Sequence, residues 1–287
     1  QNKPIDNYDP KQQVAWGSGS EYTEIPGVLT FRGNNARSAP SFGTANITDK
    51  KLSIAWTHDI GAVSADGSYF PGAGWTGQPL LVKWPADTKK AMKLTAAQVA
   101  DPAFVEVVYP VFDGSVYRLS LADGSVTRPK IEGKWGFKGT GSIDPRGYPL
   151  LYAGQGLNEN GNEKGPWQYH VFDLIQNKQV AKISGTDDVS HRQDPVGWGA
   201  FDSSALIDRR SDTLIEPGEN GIVYKAKLNA TFDAKAGKVS VKPELTKMTY
   251  RTPVSRQYGI ESSAAAWKNL MWATDNDGKM ICWDART

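Results

Sequence analysis

Short runs in which apolar and polar residues alternate at period two dominate this chain, and several open on a tight-turn pair. DGSVYRLSL from Asp113, NGIVYKAKL from Asn220 and DGKMICW from Asp277 each predict a hairpin strand with one side on a core. Asp-Gly and Asn-Gly supply the positive φ that such turns need. YHVFDL from Tyr169 occupies the corresponding place in a more diverged unit, without the Asp-Gly. A second element alternates with these hairpins: an aromatic beside glycine, small residues, then an apolar run. It reads GWTGQPLLV, GFKGTGSI, GWGAFDSSALI and YGIESSAAAW, with Trp75, Phe137, Trp198 and Tyr258 spaced about sixty residues apart.

Repeats of this length, with four short strands each, predict an all-β fold of the β-propeller type, in which blades surround a central channel. Blades start near 75, 137, 198 and 258, and the last is incomplete. Four blades are expected to belong to a larger ring of about seven or eight, because an open stack leaves unpaired strand edges. The expectation is therefore that the chain is the N-terminal part of a longer protein or closes its ring with another chain. Residues 1–26, polar and rich in Pro, Gly and Ser, read as an extended arm ahead of the partial propeller at 27–287. Helical signal is scarce: Thr95–Ala100 predicts a turn or two inside an inserted loop. The connections near 85–103, 156–166 and 184–196 are where a rigid scaffold carries binding residues.

Composition sharpens this picture in three ways. Twenty-nine Gly, 17 Pro, 10 Trp and 11 Tyr suit short strands, many turns and flat rings in the core. A net charge of +2 with both signs interspersed offers no basic stripe for nucleic acid and no cationic membrane face; no run approaches the roughly 18 apolar residues of a membrane span. Cys282 is the only cysteine, which excludes an internal disulfide and any cysteine metal cluster.

The stretch GVLTFRGNNARSAPSFGTANITDKKLSIAWTHDIGA from Gly27 resembles the opening of pyrroloquinoline-quinone (PQQ) propeller proteins, through Arg32, Gly33, Asn34, Arg37, Leu52 and Trp56. FDGSVYRLSLADG from Phe112 is similar to that family's repeat. The resemblance implies an extracytoplasmic protein, secreted or held at a bacterial cell envelope. It also implies that the segment Leu52 to Thr57 completes a blade begun by the far end of a longer chain. Quinone-dependent dehydrogenases of the family use a paired-cysteine disulfide, a calcium held by Glu and Asn, and an Asp base; with Cys282 alone, the first cannot exist in this segment. The non-enzymatic branch, which includes the lipoprotein that assists outer-membrane protein assembly, fits these losses better.

Inner strands bring equivalent positions together at the axis, so Trp75, Phe137, Trp198 and Tyr258 are expected to ring a channel mouth. Gln78, Asp202, Arg256 and Glu261 stand nearby in sequence. Flat rings beside polar groups suit stacking on a sugar, a quinone or a peptide side chain; the competing reading has the same aromatics wedging neighbouring blades apart. His191 and Arg192 lie in a loop with Asp187, Asp188 and Asp194, either as a solvated run or as binding groups. Arg32, Asn34, Asn35 and Arg37 either clamp an anion or pin the arm to the ring through backbone carbonyls. Asp275-Asn276-Asp277-Gly278 starts like a calcium loop, but position twelve is Arg286, so it reads as a turn. Gly-x-Ser-x-Gly, phosphate-loop and His-Glu-x-x-His motifs are missing. The expected role is a non-catalytic scaffold holding a protein or glycan partner at a ring face, with no cofactor and no metal. Two alternatives stand beside it: a PQQ- and calcium-dependent oxidoreductase with catalytic residues beyond the C-terminus, and a polysaccharide-active enzyme.

Overall fold

The computed structural model describes residues 13–74, 76–186, 197–250 and 259–287. Four antiparallel sheets succeed one another along the chain. The first blade runs Gly27–Val28, Leu80–Val82, Glu106–Pro110, Val116–Ser120, and bridges from Val116 to Ile131 and from Leu119 to Val126 extend its outer side. The second runs Ser142–Ile143, Leu150–Gly154, Gln168–Asp173, Lys178–Ser184, and the third Leu206–Asp208, Thr213–Pro217, Ile222–Lys227, Glu244–Thr249. The fourth holds three strands, Ala265–Trp267, Leu270–Thr274 and Met280–Asp284. This is an all-β propeller architecture. Its inner strands begin a few residues after each repeated aromatic anchor. The turn glycines Gly114, Gly221 and Gly278 all have φ near +80°, which closes each central hairpin without a Cβ clash.

One backbone hydrogen bond repeats between blades. The segment leading into each inner strand donates to the central turn of the preceding blade: Phe137 N to Val111 O (3.1 Å), Phe201 N to Gln155 O (2.8 Å) and Ile260 N to Gly218 O (3.2 Å). Period-two alternation supplies the apolar partners. Ile207, Leu214, Ile222 and Tyr224 of the third blade join one core with Tyr169, Val171 and Leu151 of the second. Leu206, Ile215 and Val223, on its opposite face, join another with Ala266, Met271 and Ala273 of the fourth.

Residues 14–37 cross all four blades. Trp16 pairs with Lys268 of the fourth, the Tyr22 hydroxyl accepts from Ile207 N of the third (3.3 Å), Ile143 N of the second donates to Leu29 O (2.8 Å), and Gly27–Val28 pairs with Leu81–Val82 of the first. Val14, Trp16, Tyr22 and Ile25 are buried along this path. Arg37 fastens it: its guanidinium donates to Thr30 Oγ1 and to the carbonyls of Phe31, Ser204 and Ala264 at 2.7–2.9 Å. Burial lowers its pKa to about 10, so it stays charged at neutral pH. Thr30, Ser142 and Ser204 share hydroxyl contacts of 2.9–3.1 Å at the inner wall. Arg37 thus pins the arm through backbone carbonyls, the second of the two roles open to it from sequence.

The inserted loop carries two helices. Ala96–Ala100 starts on a capping box in which Thr95 Oγ1 accepts from Gln98 N and Gln98 Oε1 from Thr95 N, and Ala86–Ala91 precedes it. Residues 52–57 form no strand; Leu52 and Ile54 are 83% and 82% exposed, and the Trp56 indole donates to Leu121 O at 2.9 Å. No strand among the described residues pairs with this segment. Among the described residues no helix is long and apolar enough to cross a membrane.

Candidate functional site

Side chains from three blades converge at the hub. Lys138, Asp202 and Glu261 lie on the segments leading into the second, third and fourth inner strands; Glu219 and Asn276 immediately precede Gly221's and Gly278's turns. Two equivalent backbone bonds set the last pair, Glu219 N to Ala200 O (3.0 Å) and Asn276 N to Gly259 O (2.8 Å). Carboxylate oxygens of Asp202, Glu219 and Glu261 lie within 4.8 Å of one another. The Lys138 ammonium forms an ion pair with Asp202 and sits 3.9 Å from Glu261. Trp198 Nε1 donates to Glu219 Oε2 (2.6 Å), and Asn276 Nδ2 to Glu261 Oε1 (2.9 Å). Trp198 packs on Trp167 with ring centroids 4.5 Å apart. Asp202 and Glu219 are buried, whereas Glu261 and Trp198 are half-buried and open the cluster to solvent.

Burial and the neighbouring Asp202 charge push Glu219 up to about 9, so it holds its proton at neutral pH. Burial also raises Asp202, against the pull of Lys138. Desolvation is the largest single influence on Lys138 and opposes its charge, but Asp202, Glu219 and Glu261 together outweigh it and the lysine pKa is raised. Lys138 is thus the internal counter-charge of the buried carboxyl pair, and Glu261 stands at the mouth.

Three carboxyl groups this close invite the question of calcium, which the resemblance raises. Calcium takes about six to eight oxygen ligands. Here the Lys138 ammonium already pairs with Asp202 and lies 3.9 Å from Glu261, so a cation stands among these carboxyls and the set does not fit calcium. A lysine as internal counter-charge also leaves Asp202 paired rather than poised as a base.

The structure brings Asp202, Glu261 and Trp198 together. Gln78 sits elsewhere on the inner wall, its amide oxygen accepting from Arg32 N (3.1 Å) and its backbone N–H donating to Thr140 Oγ1 (2.9 Å). Phe137 is buried between the first and second blades, edge-on to His170 and Phe172. Trp75, His191, Arg192, Arg256 and Tyr258 lie outside the described residues. Lys138 and Trp167 were not singled out from sequence, whereas Glu219 and Asn276 read there as turn residues, Glu219 as one that could line a loop-borne pocket. Lys138 follows Phe137 in the repeat, and Glu219 shares its register with Asn276 ahead of the turn, which is the signal that points to both.

The blade topology and the repeated inter-blade bond define an all-β propeller. No family model and no curated protein matches the chain. Among solved structures it is similar to the computationally designed Ika4 protein (10% identity, 62% of this chain and 84% of that one, TM-score 0.37). It is also similar to the WD40 β-propeller domain of Doa1 (9% identity, 63% and 48%, TM-score 0.40). A chain of the mitotic checkpoint complex gives 16% identity over 64% of this chain and 45% of that one, with a TM-score of 0.40. The latter two alignments thus span less than half of the matched chains.

Proposed function

We propose that this chain is a non-catalytic binding propeller that holds a protein or glycan partner at the hub face, around Trp198, Glu261 and Asn276. One observation carries the reading: three blades contribute charged side chains that are neutralised by one another, leaving a half-exposed carboxylate and an indole at the mouth. Such a surface recognises by shape, stacking and hydrogen bonding. The resemblance to the non-enzymatic branch of PQQ-type propellers supports an extracytoplasmic setting, and a larger ring would draw its remaining blades from further polypeptide or from a second chain.

Panels of immobilised glycans and peptides test this reading. Wild type is expected to retain a subset unchanged in mass, and Glu261→Gln with Trp198→Phe to lose it. Catalytic turnover of a bound compound overturns the proposal. So does a chromophore that stays bound after incubation with PQQ and calcium and raises Tm, because only a native-state ligand stabilises in that way.

A further inference from the structure

A second recess lies between the first and second blades, and the hub residues take no part in it. Its volume is about 570 Å³, inside the range of about 300–1,000 Å³ typical of small-ligand pockets. Phe137, His170 and Phe172 line its buried floor. The His170 and Phe172 rings stack with 14° between planes, and Phe137 meets them edge-on at 77° and 76°. Gln179 and Gln155 hold the two imidazole nitrogens at 2.6 and 3.0 Å. Burial lowers the His170 pKa to about 4, so the floor is uncharged at neutral pH. Trp135 forms a wall. Its indole lies so close to Gly165 that a Cβ there would collide with the ring, which fixes the wall in place.

The rim has the opposite character. Lys130, Lys134 and Lys178 border the opening against one acid, Glu132. Lys134 pairs with Glu163 (2.5 Å), and Lys130 lies 3.9 and 3.8 Å from Asp113 and Glu132. Lys178 is exposed and has no ion pair among the described residues. Lys178 is therefore the rim ammonium without an ion pair among the described residues, while aromatic surface lines the interior.

We propose that this recess binds a planar aromatic group bearing a carboxylate, its ring against Trp135 and the Phe137–Phe172 floor and its carboxylate at Lys178. The site stands apart from the hub and does not rest on the hub's role. The same chemistry occurs in a free aryl carboxylate and at the C-terminus of a peptide that ends in an aromatic residue.

Calorimetric titration of the whole chain tests the assignment with indole-3-propionate, its amide, and Gly-Gly-Trp with a free or an amidated C-terminus. At least one free acid is expected to bind with a Kd of about 1 mM or tighter. Its amide, and the free acid on Lys178→Gln, are each expected to bind about tenfold more weakly. Tighter binding of the tripeptide acid identifies a peptide terminus as the source, and tighter binding of indole-3-propionate a free small molecule. Glu261→Gln, at the hub, is expected to change neither affinity. Absence of binding by both acids at about 10 mM, well above that Kd, overturns the proposal; so does equal affinity of acid and amide, or an unchanged affinity on Lys178→Gln.

Discussion

The third and fourth blades are built on the same alternation, yet their surfaces differ. Both faces of the third are covered, Ile207, Leu214 and Ile222 toward the second blade and Leu206, Ile215 and Val223 toward the fourth. The fourth buries Ala266, Met271 and Ala273 on one face and leaves Trp267 (50%) and Met280 (76%) exposed on the other. Strand register puts Ala265, Trp272 and Cys282 in one row and Trp267, Leu270 and Asp284 in the next, so the open face is largely apolar with Asp284 at one edge. What separates the two blades is a neighbour: apolar positions at period two become core only when another sheet stands opposite.

Truncating side chains on the two blades is the most direct way to break this comparison. Ile215→Ala is expected to cost about 2–5 kcal/mol in urea unfolding, through lost transfer energy and a cavity. Met280→Ala is expected to stay within about 0.5 kcal/mol. A loss above about 2 kcal/mol for Met280→Ala would mean that the open face is covered in solution. Arg37→Ala should come next, at about 3 kcal/mol, because it strips donors from three carbonyls and one hydroxyl spread over the inner wall; Arg37→Lys should recover little, since an ammonium cannot span those directions.

The hub separates the blades by pH. Glu219, in the third blade, rises from 4.5 to about 9 on folding, so its stabilising contribution is complete below pH 4.5 and drains away as pH climbs toward 9. Melting temperatures at pH 5, 7 and 9 are therefore expected to fall on the alkaline side, and Glu219→Gln to flatten that slope. His170 acts in the other direction: its fall from 6.5 to about 4 makes stability drop as pH falls through that window, and His170→Gln should flatten the acid limb. The smallest effect is expected for Glu261→Gln at the mouth of the fourth blade, within about 0.5 kcal/mol, because the group is half-exposed and the amide oxygen can still accept from Asn276.

Much of the blade pattern was legible in the residues. The Asp-Gly and Asn-Gly turns close the central hairpins of the first, third and fourth blades, and even the diverged YHVFDL unit lies in the matching strand, Gln168–Asp173. The helix at Ala96–Ala100 was readable from its capping box, whereas Ala86–Ala91 follows a proline and lacks a side-chain cap. The candidate site was less legible. Asp202 and Glu261 could be named from their spacing behind the aromatic anchors, but Phe137, an anchor of the same type, is turned into the space between blades by His170 and Phe172.

Local chemistry was enough to determine strand, turn and repeat, because alternation and positive-φ glycines act over a few residues. Only the tertiary structure decided that Lys138 would neutralise Asp202, that Glu219 would keep a proton, and that residues 14–37 would cross every blade. Those outcomes depend on burial and on charges far apart in the chain, and the energy of a buried carboxyl is set by what surrounds it rather than by the residues beside it in sequence.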